Sequence, residues 1–169
     1  LVSGPTALAA PDGVELVPVE SAREMHGAVM ERVADCSVVI KAATVADYRP
    51  LMRNESKIKK RDGQMSLELL KNPDILAELG QLTKRPLLVG FAAETTDLQT
   101  HAVTKLTAKN LDMIVANDVS QEGAGFNVAT NIASLLYRDG RVEPLALMSK
   151  ELLADLILDR IRVLLQHKR

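Results

Sequence analysis

An α/β fold is predicted by three features of this 169-residue chain. Short, predominantly apolar runs at residues 37–42, 87–91 and 111–116 have the composition of parallel strands covered on both faces. Stretches with helical apolar spacing separate them, and this strand-helix-strand order gives right-handed parallel crossovers. Near the end, Asp139-Gly140 stands between two apolar runs and signals a hairpin. The expected architecture is Rossmann-like: three αβα layers around a mainly parallel sheet, with a C-terminal antiparallel extension.

Each element can be justified in turn. Leu1-Val2-Ser3-Gly4-Pro5-Thr6 reads as the tail of a strand entering a turn. With no initiator Met and nothing before it to pair in register, a preceding segment is expected. Residues 14–19 form a short strand candidate. Ser21 and Glu24 make a capping-box pair, opening a helix that buries Met25, Val29 and Val33. After strand 37–42 and a further strand candidate at 65–70, Lys71-Asn72-Pro73-Asp74-Ile75 starts a helix. There Asn72 is the expected cap, and Pro73 sits where its missing N–H costs nothing. Strand 87–91 leads into a helix from about Thr96 to Lys109, and strand 111–116 ends in Asn117-Asp118. Residues 131–137 and 141–147 form the hairpin. Ser149 caps a last helix whose Leu152, Leu153, Leu156, Ile157, Ile161 and Leu164 form one apolar stripe.

Length and composition bound the function classes. A chain of 169 residues with 47% hydrophobic side chains holds one core and reads as a single soluble domain. The net charge of −1 excludes a broad surface for nucleic acid or anionic membrane, so any basic patch is local. Cys36 is the single cysteine and fits a reducing, cytoplasmic setting; it is expected to be a small core residue. No apolar run approaches the length of a membrane span, about 18 residues. His26, His101 and His167 share no metal-ligand spacing.

Ligands of open parallel sheets bind beyond the carboxyl ends of the strands, which focuses attention on the polar groups there. The first strand passes into Lys41-Ala42-Ala43-Thr44-Val45-Ala46-Asp47-Tyr48-Arg49, where small residues let a ligand approach the backbone beside one carboxylate. Residues 50–63 then form a polar, mobile basic flap carrying Lys57, Lys59, Lys60 and Arg61. Such a run is ordinarily a solvated loop, but one leaving a strand tip can close over phosphates and exclude water. Lys105 and Lys109 lie four apart on one helix face, an arrangement that favours an anion or acidic neighbour opposite. Gly90-Phe91-Ala92-Ala93-Glu94-Thr95 again puts small residues and one aromatic after a buried strand. Asn117 and Asp118 serve equally as ligand contacts or as strand terminators.

Taken in order, Ala43 with Ala46-Asp47-Tyr48-Arg49, Lys57-Ile58-Lys59-Lys60, Lys71-Asn72-Pro73-Asp74-Ile75, Gly90-Phe91-Ala92-Ala93-Glu94-Thr95, and Lys109-Asn110-Leu111-Asp112 with Ala116-Asn117-Asp118-Val119 resemble the bacterial phosphopantothenate–cysteine ligase family over nearly the whole chain. In many bacteria this ligase is the C-terminal half of a bifunctional protein whose N-terminal half is a flavin-dependent decarboxylase, so FMN would belong to that half alone. The resemblance implies CTP and Mg²⁺, with 4′-phosphopantothenate and cysteine as substrates. It implies catalysis by Lys57, and nucleotide binding by Lys41, Ala42, Ala43, Asp47, Lys57, Pro73, Asp74, Ile75, Leu76, Phe91, Lys105 and Lys109. Asn117 would reach the pantothenate portion; metal ligands are not implied.

The resemblance also implies a homodimer, with residues 131–147 as the candidate contact, their alternative role being an intramolecular cap on the sheet edge. A larger assembly would form through the decarboxylase half. The family's opening strand, glycine-rich turn and Ser/Gly-rich segment do not occur before Leu1, so the chain as it stands is expected to bind nucleotide weakly and turn nothing over. Two other readings compete. A nucleotide-dependent oxidoreductase lacks its G-x-G-x-x-G turn, Gly123-Ala124-Gly125 being the nearest approach. A non-catalytic dimerisation or regulatory module on the same scaffold would not bind CTP.

Overall fold

The computed structural model describes residues 1–52, 56–57, 59, 63–94, 97–121, 123–125 and 128–167. In chain order its strands are β1 (Val2–Ser3), β2 (Val17–Pro18), β3 (Val38–Lys41), β4 (Tyr48–Pro50), β5 (Leu69–Lys71), β6 (Leu87–Glu94), β7 (Met113–Asp118), β8 (Thr130–Asn131), β9 (Ala133–Tyr137), β10 (Val142–Pro144) and β11 (Met148–Ser149). The helices are α1 (Ala22–Met30), α2 (Ile75–Gly80), α3 (Leu98–Ala108) and α4 (Lys150–His167). The chain groups into two compact units, Leu1–Arg32 with Ala43–Ile75 and Val33–Ala42 with Leu76–Arg169.

The larger unit holds the predicted sheet, five strands in the order β10-β9-β7-β6-β3. β3, β6 and β7 run parallel, whereas β9 is antiparallel to β7 and β10 to β9. Alternation along the strands sorts their side chains onto two faces. On one, Leu87, Val89, Met113, Val115, Leu135 and Tyr137 bury against Leu153, Ile157 and Ile161 of α4. On the other lie Leu88, Gly90, Ile114 and Leu136, with Ala102 and Leu106 of α3 buried on that side. These are the three αβα layers. Gly90 sits in close packing: a Cβ there would lie 2.8 Å from Leu111 Cδ1 and 3.2 Å from Leu76 Cδ1, so those side-chain ends would have to shift.

At the amino ends of β6 and β7 a partly buried brace holds the register. Asp112 accepts from Arg85 Nη1 at 2.5 Å and Nη2 at 3.0 Å, and from the Leu88 N–H at 2.8 Å. The Asp139-Gly140 turn forms as expected, with Gly140 at φ 86° and the Arg141 N–H donating to Asp139 Oδ1. β9 thereby closes one side of the parallel run within the chain, which is the capping role left open for the hairpin.

Several expectations are corrected. β3 is not covered on both faces; among the described residues it pairs β6 alone, at the end of the sheet, and Ile40 is 42% exposed. Strand 14–19 shrinks to Val17–Pro18, because its parallel partner is only Val2–Ser3. Strand 65–70 becomes Leu69–Lys71, antiparallel to Tyr48–Pro50. Helix 96–109 narrows to Leu98–Ala108, with Asp97 at its start and no side-chain cap. α1 stops at Met30, and Val33 opens a short 3-10 turn instead. Leu152 is half exposed while Leu153, Ile157 and Ile161 carry the stripe, and Cys36 is exposed at the end of the 3-10 turn. Both predicted caps do form: the Glu24 N–H donates to Ser21 Oγ, and the Leu152 N–H to Ser149 Oγ.

Candidate functional site

In the smaller unit the segment after β3 has no regular structure until β4, and its end is fixed by one side chain. Asn72 is buried. Its amide Nδ2 donates to the Ala46 carbonyl at 2.8 Å, its Oδ1 accepts from Arg49 Nη1 at 3.0 Å, and its N–H donates to the Asp47 carbonyl at 2.7 Å. The same Arg49 Nη1 donates to the Lys71 carbonyl at 2.8 Å. Asp47 is thus held by its backbone while its carboxylate stays exposed. This replaces the capping role expected of Asn72: α2 begins at Ile75, and the amide reaches back 26 residues. Ile75 and Leu76 are buried, so this stretch has backbone groups, together with the exposed Asp74, to offer a ligand. Ala43 is exposed, as are Lys57 and Lys59; most of the cationic flap otherwise lies outside the described residues.

In the larger unit the carboxyl ends of the parallel strands bring together Lys41, Phe91 and Asn117. Lys41 ends β3 opposite Gly90, and exposed Ala42 follows it. β6 continues four residues further, with Ala93 opposite Asn117. Phe91 packs against the core cluster on the α4 face, so its ring is held largely by that core. Lys105 lies in the last turn of α3 and Lys109 at its C-cap, both partly buried; the Lys109 N–H donates to the Lys105 carbonyl at 3.0 Å. Cations at that end also complement the helix dipole.

The adjacent Asn117 and Asp118 behave oppositely. Asp118 Oδ1 accepts from the Ser120 hydroxyl at 2.5 Å and the Ser120 N–H at 3.1 Å, while Oδ2 accepts from Gln121 Nε2 at 2.6 Å. These bonds, the Ser120 hydroxyl foremost, hold its carboxyl below the ordinary carboxylate range. Asp118 is a turn former. Asn117 Oδ1 is shut away from solvent and, among the described residues, has no hydrogen-bond partner, between Ala93 and Ala133 at the tip of β7. A buried acceptor without a donor costs about 1–3 kcal/mol, so its persistence at a strand tip marks a position that a ligand donor can satisfy. Among the described residues, no group of three or more His, Cys, Asp or Glu side chains is placed to hold a metal ion. None of the described helices is long and apolar enough to cross a membrane.

Sequence reasoning weighed Asn72 only as a cap, and no local signal separates a cap from a long-range latch. The fold and strand tips define an α/β domain with candidate ligand groups at the carboxyl edge of a parallel sheet. The chain belongs to the DNA/pantothenate metabolism flavoprotein C-terminal domain family, whose pattern it matches over residues 1–164. It is 50% identical over 151 residues to the coenzyme A biosynthesis bifunctional protein CoaBC of Bacillus subtilis (strain 168), covering 89% of this chain and 37% of that protein. To the CoaBC protein of Escherichia coli (strain K12) it is 45% identical over 165 residues, covering 95% of this chain and 40% of that protein. The chain therefore spans about two fifths of the length of these curated relatives.

Among solved structures, the C-terminal domain of a CoaBC protein superposes with a TM-score of 0.81 at 41% identity, over 98% of this chain and 74% of that one. The DNA/pantothenate metabolism flavoprotein from Streptococcus pneumoniae superposes with a TM-score of 0.75 at 22% identity, over 96% and 79% of the two chains, a likeness of fold.

Proposed function

We propose that this domain works in coenzyme A biosynthesis as the phosphopantothenate–cysteine ligase part of a bifunctional protein. The observation that carries the reading is the unpartnered Asn117 acceptor at the carboxyl edge of the parallel sheet, in a chain that aligns with CoaBC relatives over almost its full length. In the first step a carboxylate oxygen of 4′-phosphopantothenate attacks the α-phosphorus of CTP. The α–β phosphoanhydride bond breaks, leaving an acyl-cytidylate and pyrophosphate. In the second, the cysteine amine attacks the acyl carbon, CMP leaves with the electron pair of the acyl–oxygen bond, and loss of a proton from nitrogen gives the amide.

Bringing a carboxylate against a triphosphate requires fixed positive charge. Lys57 supplies it at the reacting phosphate, Lys105 and Lys109 at the remaining phosphates. Lys41, Ala42, Ala43, Asp47, Phe91 and residues 73–76 line the nucleotide, and Asn117 Oδ1 accepts a hydrogen bond from the pantothenate portion. Magnesium would travel on the phosphate oxygens of CTP, neutralising charge as part of the substrate complex. The protein would work in the cytoplasm as a homodimer, joined to a flavin-bearing decarboxylase half.

The test is pyrophosphate release by the intact protein with 4′-phosphopantothenate and either CTP or ATP. Lys57→Gln is expected to lower the rate of acyl-cytidylate formation at least about 100-fold with the fold unchanged; normal pyrophosphate release would refute the role. Titration of this chain with CTP and Mg²⁺ separates the ligase from a non-catalytic module. Saturable binding weakened by Lys105→Ala supports the ligase, and no binding supports the module.

A further inference from the structure

The loop 43–47 has no ladder of its own before β4, yet its end is fastened at Ala46 and Asp47, and at Arg49 in β4, each time by Asn72. Both ends of the Asn72 carboxamide are engaged, the residue is buried, and the Pro73–Asp74 backbone follows directly. Arg49 Nη1 is taken up by two acceptors, and the Asp47 carboxylate is presented to solvent beside it. A carboxylate repels phosphate oxygens and accepts from hydroxyl or amino donors, so this loop suits the nucleoside end of a nucleotide and not its phosphate tail.

We infer that Asn72 is a positioning residue that sets the Asp47 loop for the sugar and base of the nucleotide. The inference rests on the nucleotide reading proposed above. It separates two contributions to affinity: the cations hold the triphosphate, and the Asn72 latch aligns the nucleoside contacts. Asn72→Asp keeps an acceptor for Arg49 but turns an acceptor toward the Ala46 carbonyl, releasing the loop while retaining the Arg49 arm. Arg49→Met removes the other arm and leaves the donor to Ala46.

The measurement is isothermal titration of the full chain, at one temperature well below unfolding, with CTP and with inorganic tripolyphosphate, each with Mg²⁺. Asn72→Asp is expected to weaken CTP roughly tenfold or more, as a displaced contact does, while tripolyphosphate affinity stays within about twofold. Arg49→Met is expected to weaken CTP about two- to fivefold with the same selectivity, and it decides the matter should Asn72→Asp not fold. Unchanged CTP affinity, or equal losses for both ligands, would overturn the positioning role, since general damage to the fold does not distinguish a nucleotide from its phosphate tail. Absence of CTP binding by the native chain would overturn the nucleotide reading and this inference together.

Discussion

At the scale of single residues, the chain contrasts polar groups that are fully used with one that is not. Tyr137, Glu143 and Arg160 form a used set: the Tyr137 hydroxyl donates to Glu143 Oε2 at 2.8 Å, Arg160 Nε donates to the same oxygen at 2.9 Å, and the Arg141 guanidinium lies 4.0 Å from the centre of the Tyr137 ring. The Arg160 bonds hold the Glu143 carboxyl down at about 2, below its usual 4.5. Its contribution to stability is therefore fully present above about pH 4.5 and is lost as pH falls toward about 2. Burial, with Glu143 beside it, pushes the Tyr137 hydroxyl up to about 12, so that contribution is present below pH 10 and lost as pH rises through about 12. Melting temperature followed from pH 5 to pH 2 is expected to fall in the native chain and to fall less steeply in Glu143→Gln, which at neutral pH is less stable by about 1–2 kcal/mol. Asn117 predicts the reverse. Because its Oδ1 bonds to nothing among the described residues, Asn117→Ala is expected to leave stability within about 0.5 kcal/mol of native or to raise it, as measured by urea denaturation. Together with a loss of affinity for the acyl substrate, that outcome marks a group kept for a ligand.

At the scale of elements, close packing of α2 sets the sharpest demand. A Cβ on Gly80 would lie 2.2 Å from the Lys109 carbonyl oxygen, a backbone atom, whereas one on Gly90 meets mobile side-chain termini of Leu111 and Leu76. Both Ala substitutions are expected to destabilise by about 1–3 kcal/mol, with Gly80→Ala the worse, as denaturant midpoints will register. What the sequence made legible follows the same division. β6, β7 and the Asp139-Gly140 turn were readable because continuous burial and turn chemistry are written in adjacent residues. The edge position of β3 was not, since Val38-Val39-Ile40 looks the same whether one ladder partner is present or two. The length of β2 depended on how little of residues 1–6 could pair with it. Among candidate site residues, Asp47 and Asn117 were visible from their place after apolar runs. The latch by Asn72 was invisible, because an Asn before Pro carries the same local signature in either role.

At the scale of the whole molecule, the two units differ in how they are buried. Leu88, Val89, Ile114 and Val115 are essentially excluded from solvent in the larger one, while every residue of β5 in the smaller one is exposed. Hydrogen exchange is accordingly expected to be slowest at the amides of β6 and β7 and faster in the β4–β5 ribbon by orders of magnitude, a contrast that peptide-resolved exchange mass spectrometry will read. Equal protection of the two would contradict this division. The path of the backbone adds a constraint on anyone who would take the protein apart. Residues 33–42, including β3, are claimed by the larger unit although they are flanked on both sides by chain belonging to the smaller one. No single truncation from either terminus isolates one unit: a cut that removes all of the smaller unit takes β3 with it, and a cut after Ile75 that keeps the smaller unit leaves β3 without β6. Dissection will need circular permutation or an excised internal segment, and a deletion series made by trimming the ends will not part the two units cleanly.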